Sequence, residues 1–151
     1  MDGFRIAEEL KRDHPDTFHF LSTTPLRFSH EDTESNVYGY RCPIELGEQG
    51  EIRGFSFNFY DIAAVTFLPA DRIHDYYKHV GVITKLIKER DDLCFKYLLN
   101  PGKAVFVANR RVLHGREEFS GMRNLLGCYI GDDEYVSRLK VHHICNTHKD
   151  I

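Results

Sequence analysis

A chain of 151 residues is one domain's worth, and 42% apolar against 28% charged residues excludes a disordered segment. A net charge of −3 with no long basic run excludes a general affinity for nucleic acid. No apolar stretch approaches the roughly 18 residues that cross a bilayer, so no membrane partner is expected. The first ten residues, MDGFRIAEEL, carry acids where a signal or transit peptide would be cationic, so nothing in the sequence as written exports the chain.

In chain order, Asp2 is a candidate N-cap for a short helix with Phe4, Ile6, Ala7 and Leu10 on one face. Pro15 starts a second helical piece, with Phe18 and Leu21 facing inward, and Pro25 ends it. Leu26–Ser29 reads as a strand and Glu31–Asn36 as an acidic loop. Val37–Ile44 is one extended segment, stopped by the turn Gly47–Gly50, and Glu51–Phe59 alternates well enough for a strand. Ala70–Glu89 is the best helix, with Ile73, Tyr76, Tyr77, Val80, Ile83 and Ile87 at helical spacing. Phe95–Leu99 reads as a strand and Asn100–Lys103 as a turn. Ala104–Ala108, apolar throughout, reads as a strand buried on both faces. Arg123–Ile130 is the last strand, and Asp132–Glu134 opens a short helix before a loose tail from His142. The expected class is mainly β with helical insertions, a sandwich or jelly roll. The four cysteines have no CxxC spacing and read as free thiols of a reducing compartment.

His114 ends the apolar run and precedes Gly115. Taken alone it fits a hydrogen-bonded histidine at a strand terminus as well as a functional imidazole. Arg123 lies nine positions downstream, at the head of a strand otherwise filled by Leu125, Leu126, Cys128 and Ile130. A guanidinium entering an apolar core needs an anionic partner, and its fork suits a carboxylate. A histidine ligand followed by a carboxylate-gripping arginine on the next strand is what iron/2-oxoglutarate oxygenases need.

The stretch "NRRVLHGREEFSGMRNLLGCYIGDDEYVSRLK" resembles the C-terminal signature of the trimethyllysine and γ-butyrobetaine dioxygenase family, within the TauD-like iron/2-oxoglutarate oxygenases. The similarity extends back through "LNPGKAVFVANRRVLHGR" and "FNFYDIAAV", and weakly to "MDGFRIAEEL" and "FLSTTPLRFSHED". It implies a partial double-stranded β-helix, with residues 1–141 the C-terminal part of a dioxygenase domain and 142–151 a flexible tail. It implies that His114 is the distal iron ligand and that Arg123 anchors the 2-oxoglutarate carboxylate. Tyr129 would pack on a trimethylammonium group and Asn58 would bind the substrate carboxylate. The His–Arg spacing is nearer the trimethyllysine branch. The implied cofactors are Fe(II), 2-oxoglutarate and ascorbate, and the implied reaction is hydroxylation of a trimethylammonium amino acid in carnitine biosynthesis. Localisation would be mitochondrial by resemblance, or cytoplasmic if the chain is expressed as written. Arg110 stands where the family has tryptophan, and is expected to disturb packing beside the site.

The family's other two iron ligands form an H-x-D pair upstream of this region, and "MDGFRIAEEL" matches the helix after it. His30-Glu31-Asp32 fits H-x-D literally, but falls in the acidic loop and is rejected as a substitute. His74-Asp75 reads as a solvated helix face. The cluster His142–His148 lacks a second group of ligands at metal-site spacing, and Cys128 reads as packing rather than a nucleophile. The chain is therefore expected to be inactive alone, or else a non-catalytic partner. Self-association or association with a full-length enzyme is the expected partnership. A chance match in an unrelated β-rich domain is the remaining alternative.

Overall fold

The computed structural model describes the backbone of residues 1–147 and the side chains of residues 1–143. Residues 1–116 form one compact unit, and the chain from Glu117 forms a second.

In the first unit, Asp2 accepts a hydrogen bond from the Phe4 N–H at 3.0 Å and caps helix α1, Gly3–Asp13. Ile6, Ala7 and Leu10 make its buried stripe, while Lys11 and Arg12 face the negative end of the helix dipole. Helix α2, Pro15–Thr23, opens on proline, whose missing N–H is an unpaired group at that position anyway. Strands β1, Leu26–Glu31, and β2, Asn36–Arg41, pair as an antiparallel hairpin from Leu26 opposite Arg41 to Glu31 opposite Asn36. Strands β3, Ile44–Leu46, and β4, Ile52–Phe55, form a second hairpin with an irregularity between Glu45 and Leu46. Its turn needs the left-handed backbone of Gly50, at φ +79°. A 3₁₀ turn, Ala70–Arg72, leads into helix α3, Ile73–Glu89.

Two expected boundaries shift for local reasons. The single extended segment Val37–Ile44 is broken at Cys42-Pro43, because proline has no N–H to give a ladder. Pro43 is instead fully buried, and its carbonyl accepts the Ser56 N–H at 2.8 Å. Strand β4 stops at Phe55 rather than Phe59, and beyond it the Asn58 side chain accepts the Tyr60 N–H at 3.1 Å in a turn.

The core joins α1, α2, α3 and the second hairpin through Ile6, Leu10, Leu21, Ile44, Phe55 and Ile83, all essentially inaccessible. Each such side chain contributes about 1.5–3 kcal/mol of burial. Helices supply most of this core.

The strands expected at Phe95–Leu99, Ala104–Ala108 and Arg123–Ile130 do not form, and the described residues hold small antiparallel sheets and helices. The sheets are two separate two-stranded pairs. Ala104–Ala108, expected to be buried on both faces, is exposed, with Phe106 88% accessible. Apolar, β-branched sequence supplies the side chains of a strand, but a strand also needs a neighbour for its N–H and C=O groups. Among the described residues, none pairs with these three segments as a strand.

In the second unit, Gly121 takes a left-handed turn at φ +88°, and helix α4 runs Asp132–Thr147. Asp132, Asp133 and Glu134 lie in its first turn, where the helix dipole favours acids. The helix continues into the segment expected to be a loose tail; residues 148–151 lie outside the described residues.

Candidate functional site

The segment before His114 is tied to the start of the chain. The Gly3 N–H donates to the Arg111 carbonyl at 2.8 Å, the Leu113 N–H to the Met1 carbonyl at 3.0 Å, and Asp2 lies opposite Val112. Arg111 grips both Asp2 oxygens, at 3.3 and 2.7 Å, and its guanidinium lies 5.4 Å from the Phe4 ring centre. The hydrogen bond from Arg111 is the main cause that holds the Asp2 carboxyl below the usual carboxylate range. His114 follows this tie, exposed, with Nδ1 3.2 Å from the Val112 carbonyl oxygen.

Asn58 belongs to the same unit, but its amide is engaged locally. Its Nδ2 donates to Asp61, while its Oδ1 holds the Tyr60 N–H. No hydrogen bond joins Asn58 to His114 among the described residues. Arg123 and Tyr129 belong to the second unit. There the Arg123 guanidinium stands 5.9 Å from the Phe119 ring centre, a cation–π contact. Tyr129 is 89% accessible, and the neighbouring Cys128 is also exposed rather than packed in a strand.

Arg110 does not disturb the interior. It points to the surface, forms an ion pair with Glu45 of β3, and gives its carbonyl to the Phe55 N–H at 2.8 Å.

The literal H-x-D, His30 and Asp32, sits at the β1–β2 turn. Asp32 accepts from the Glu34 and Ser35 N–H groups at 2.8 and 2.6 Å, and His30 Nε2 lies 3.1 Å from its other oxygen. These bonds, led by the Glu34 N–H, hold the Asp32 carboxyl down at about 2. It is a loop cap. His74 and Asp75 are exposed on α3, and His142 and His143 on α4; His148 lies outside the described residues.

An iron(II) centre of the expected type needs three convergent ligands. Among the described residues, no three His, Cys, Asp or Glu side chains converge to hold a metal ion. His114 offers one donor, so the residues present do not by themselves fit the ion. An open cavity of about 460 Å³ between α2 and the start of α3 is lined by Asp16, His19, Phe20, Arg72 and His79 among others, and by none of the expected site residues.

The family model described as taurine catabolism dioxygenase TauD, TfdA family, matches residues 1–129, and the chain belongs to that family. The family is one of dioxygenases that in general depend on Fe(II) and 2-oxoglutarate. Among individual relatives, the mitochondrial trimethyllysine dioxygenases of Gallus gallus and Mus musculus are each 34% identical over 149 residues and 93% of this chain. The matched part is 35% and 34% of those two proteins. The gamma-butyrobetaine dioxygenase of Pseudomonas sp. strain AK-1 is 36% identical over 148 residues, 93% of this chain and 37% of its own length. The chain thus spans about a third of the length of these curated relatives, and identity does not separate the two branches. Among the described residues, no helix is long and apolar enough to cross a membrane.

Proposed function

We propose that this chain supplies part of the site of an Fe(II)- and 2-oxoglutarate-dependent oxygenase that hydroxylates a trimethylammonium amino acid, trimethyllysine ahead of γ-butyrobetaine. The observation that carries this is the family match over residues 1–129, a span that includes both His114 and Arg123 at their nine-residue spacing. His114 offers a nitrogen donor. Arg123 offers a fork for the cosubstrate carboxylate, Tyr129 an aromatic face for the quaternary ammonium, and Asn58 an amide for the substrate carboxylate. The iron ligands beyond His114 come from other polypeptide, and the 151-residue chain does not turn over alone. On the same reading, residues 1–141 are the C-terminal part of a dioxygenase domain whose double-stranded β-helix is completed elsewhere. Ascorbate serves as reductant, and the location is the mitochondrion named for the relatives. Thermal denaturation with and without 2-oxoglutarate tests the family site. The ligand is expected to raise the midpoint, and Arg123→Ala to abolish the rise. No rise in the parent chain would remove the reading of Arg123 as the anchor of the cosubstrate carboxylate.

A second reading is favoured by the exposed apolar segments, Phe95, Leu98, Val105 and Phe106 among them. In it the chain is a non-catalytic partner of a full-length enzyme, seated through those segments. Co-elution with full-length trimethyllysine dioxygenase supports it, and separate elution removes it.

A further inference from the structure

We infer that Asp2, Gly3 and Arg111 are positioning residues that decide which nitrogen of His114 faces outward. A carbonyl oxygen only accepts hydrogen bonds, so the 3.2 Å contact between Nδ1 and the Val112 oxygen makes Nδ1 the protonated nitrogen. Nε2 then carries the free lone pair, and is the atom with which this imidazole acts as a donor or base. His114 is exposed, so solvent alone leaves its two tautomers in exchange. Selection depends on where the Val112 carbonyl is held.

The residue that carries that carbonyl is held in register by the tie to the start of the chain. Val112 lies opposite Asp2, and the flanking residues bond across, from Gly3 N–H to Arg111 O at 2.8 Å and from Leu113 N–H to Met1 O at 3.0 Å. Gly3 permits the approach. A Cβ there would stand 2.6 Å from Phe55 Cδ1 and 2.7 Å from the Arg111 oxygen, inside any real contact. Asp2 caps α1 with one oxygen while Arg111 grips both, so the helix and the His114 segment share one carboxylate. Stacking over Phe4 keeps the Arg111 guanidinium in that place. The orientation of α1 therefore passes through two residues to the Val112 carbonyl, and from there to the ring.

This inference rests on the reading of His114 as a functional imidazole, but it concerns the ring itself. The test is nitrogen-15 NMR of the imidazoles in the full chain at mildly alkaline pH. The parent chain is expected to show the Nδ1–H pattern at His114. Arg111→Gln keeps the Asp2 cap and α1, checked by far-ultraviolet circular dichroism, and is expected to lose that pattern to an averaged ring. Asp2→Ala is expected to lose it as well. A dominant Nε2–H form in the parent, or an unchanged pattern in folded Arg111→Gln, would overturn the inference. Absence of turnover would leave this result untouched.

Discussion

Asp32 is occupied at every oxygen. Its backbone and side-chain hydrogen bonds to Glu34, Ser35 and His30 place the folded-state pKa at about 2, below the ordinary 3.8. A group with a depressed folded pKa contributes stability above its unfolded value and loses it as pH falls through the folded one. The β1–β2 turn is therefore expected to loosen between pH 3.8 and about 2, with faster amide exchange at Ser35. Asp32→Ala is expected to show that fast exchange already at neutral pH. Equal protection in both proteins would contradict the assignment of Asp32 as a cap. The residue type and the acidic loop were legible in the sequence. So was Asp2 as an N-cap, whereas its grip on Arg111, 109 positions away, left no local pattern to read.

At the scale of elements, α2 and α3 meet around a buried polar pair. Thr17 and His79 are only 4% and 8% accessible, with Thr17 Oγ1 2.9 Å from His79 Nδ1. The Phe20 ring stacks on His79 at 4.6 Å. Burial pushes the His79 pKa below 6.5, with Lys78 and Arg72 adding to the shift and Asp75 and Asp16 opposing it. The unfolded chain then takes up the proton first, so stability is full above about pH 6.5 and falls as pH drops below it. Thermal midpoints measured through that window are expected to fall in the parent and to flatten in His79→Leu. Thr17→Val, which leaves Nδ1 buried without its partner, is expected to cost about 1–3 kcal/mol at neutral pH. Equal pH slopes in parent and His79→Leu would show that the seam does not sense protons. The α3 stripe was legible from its spacing, and Tyr76 and Ile83 are buried as that spacing requires. His79 shares their face, three residues after Tyr76 and four before Ile83. Its polar type concealed it, and Tyr77, counted in the stripe, is exposed.

At the scale of the whole molecule, the helices of the first unit were readable because their hydrogen bonds close within a short stretch of chain. The segments Phe95–Leu99, Ala104–Ala108 and Arg123–Ile130 carry the composition of strands, but pairing is a property of two segments and only one of each is legible. The site divides in the same way. His114 and Arg123, the proposed iron ligand and cosubstrate anchor, stood out by residue type and spacing, while among the described residues no three His, Cys, Asp or Glu side chains converge on a metal site. The most direct measurement of the central claim is succinate formation by the purified chain with Fe(II), 2-oxoglutarate, ascorbate and trimethyllysine. No succinate above the protein-free rate is the expected result. Trimethyllysine-dependent succinate that disappears in His30→Ala or Asp32→Ala would contradict it, and would make the hairpin turn a metal site after all.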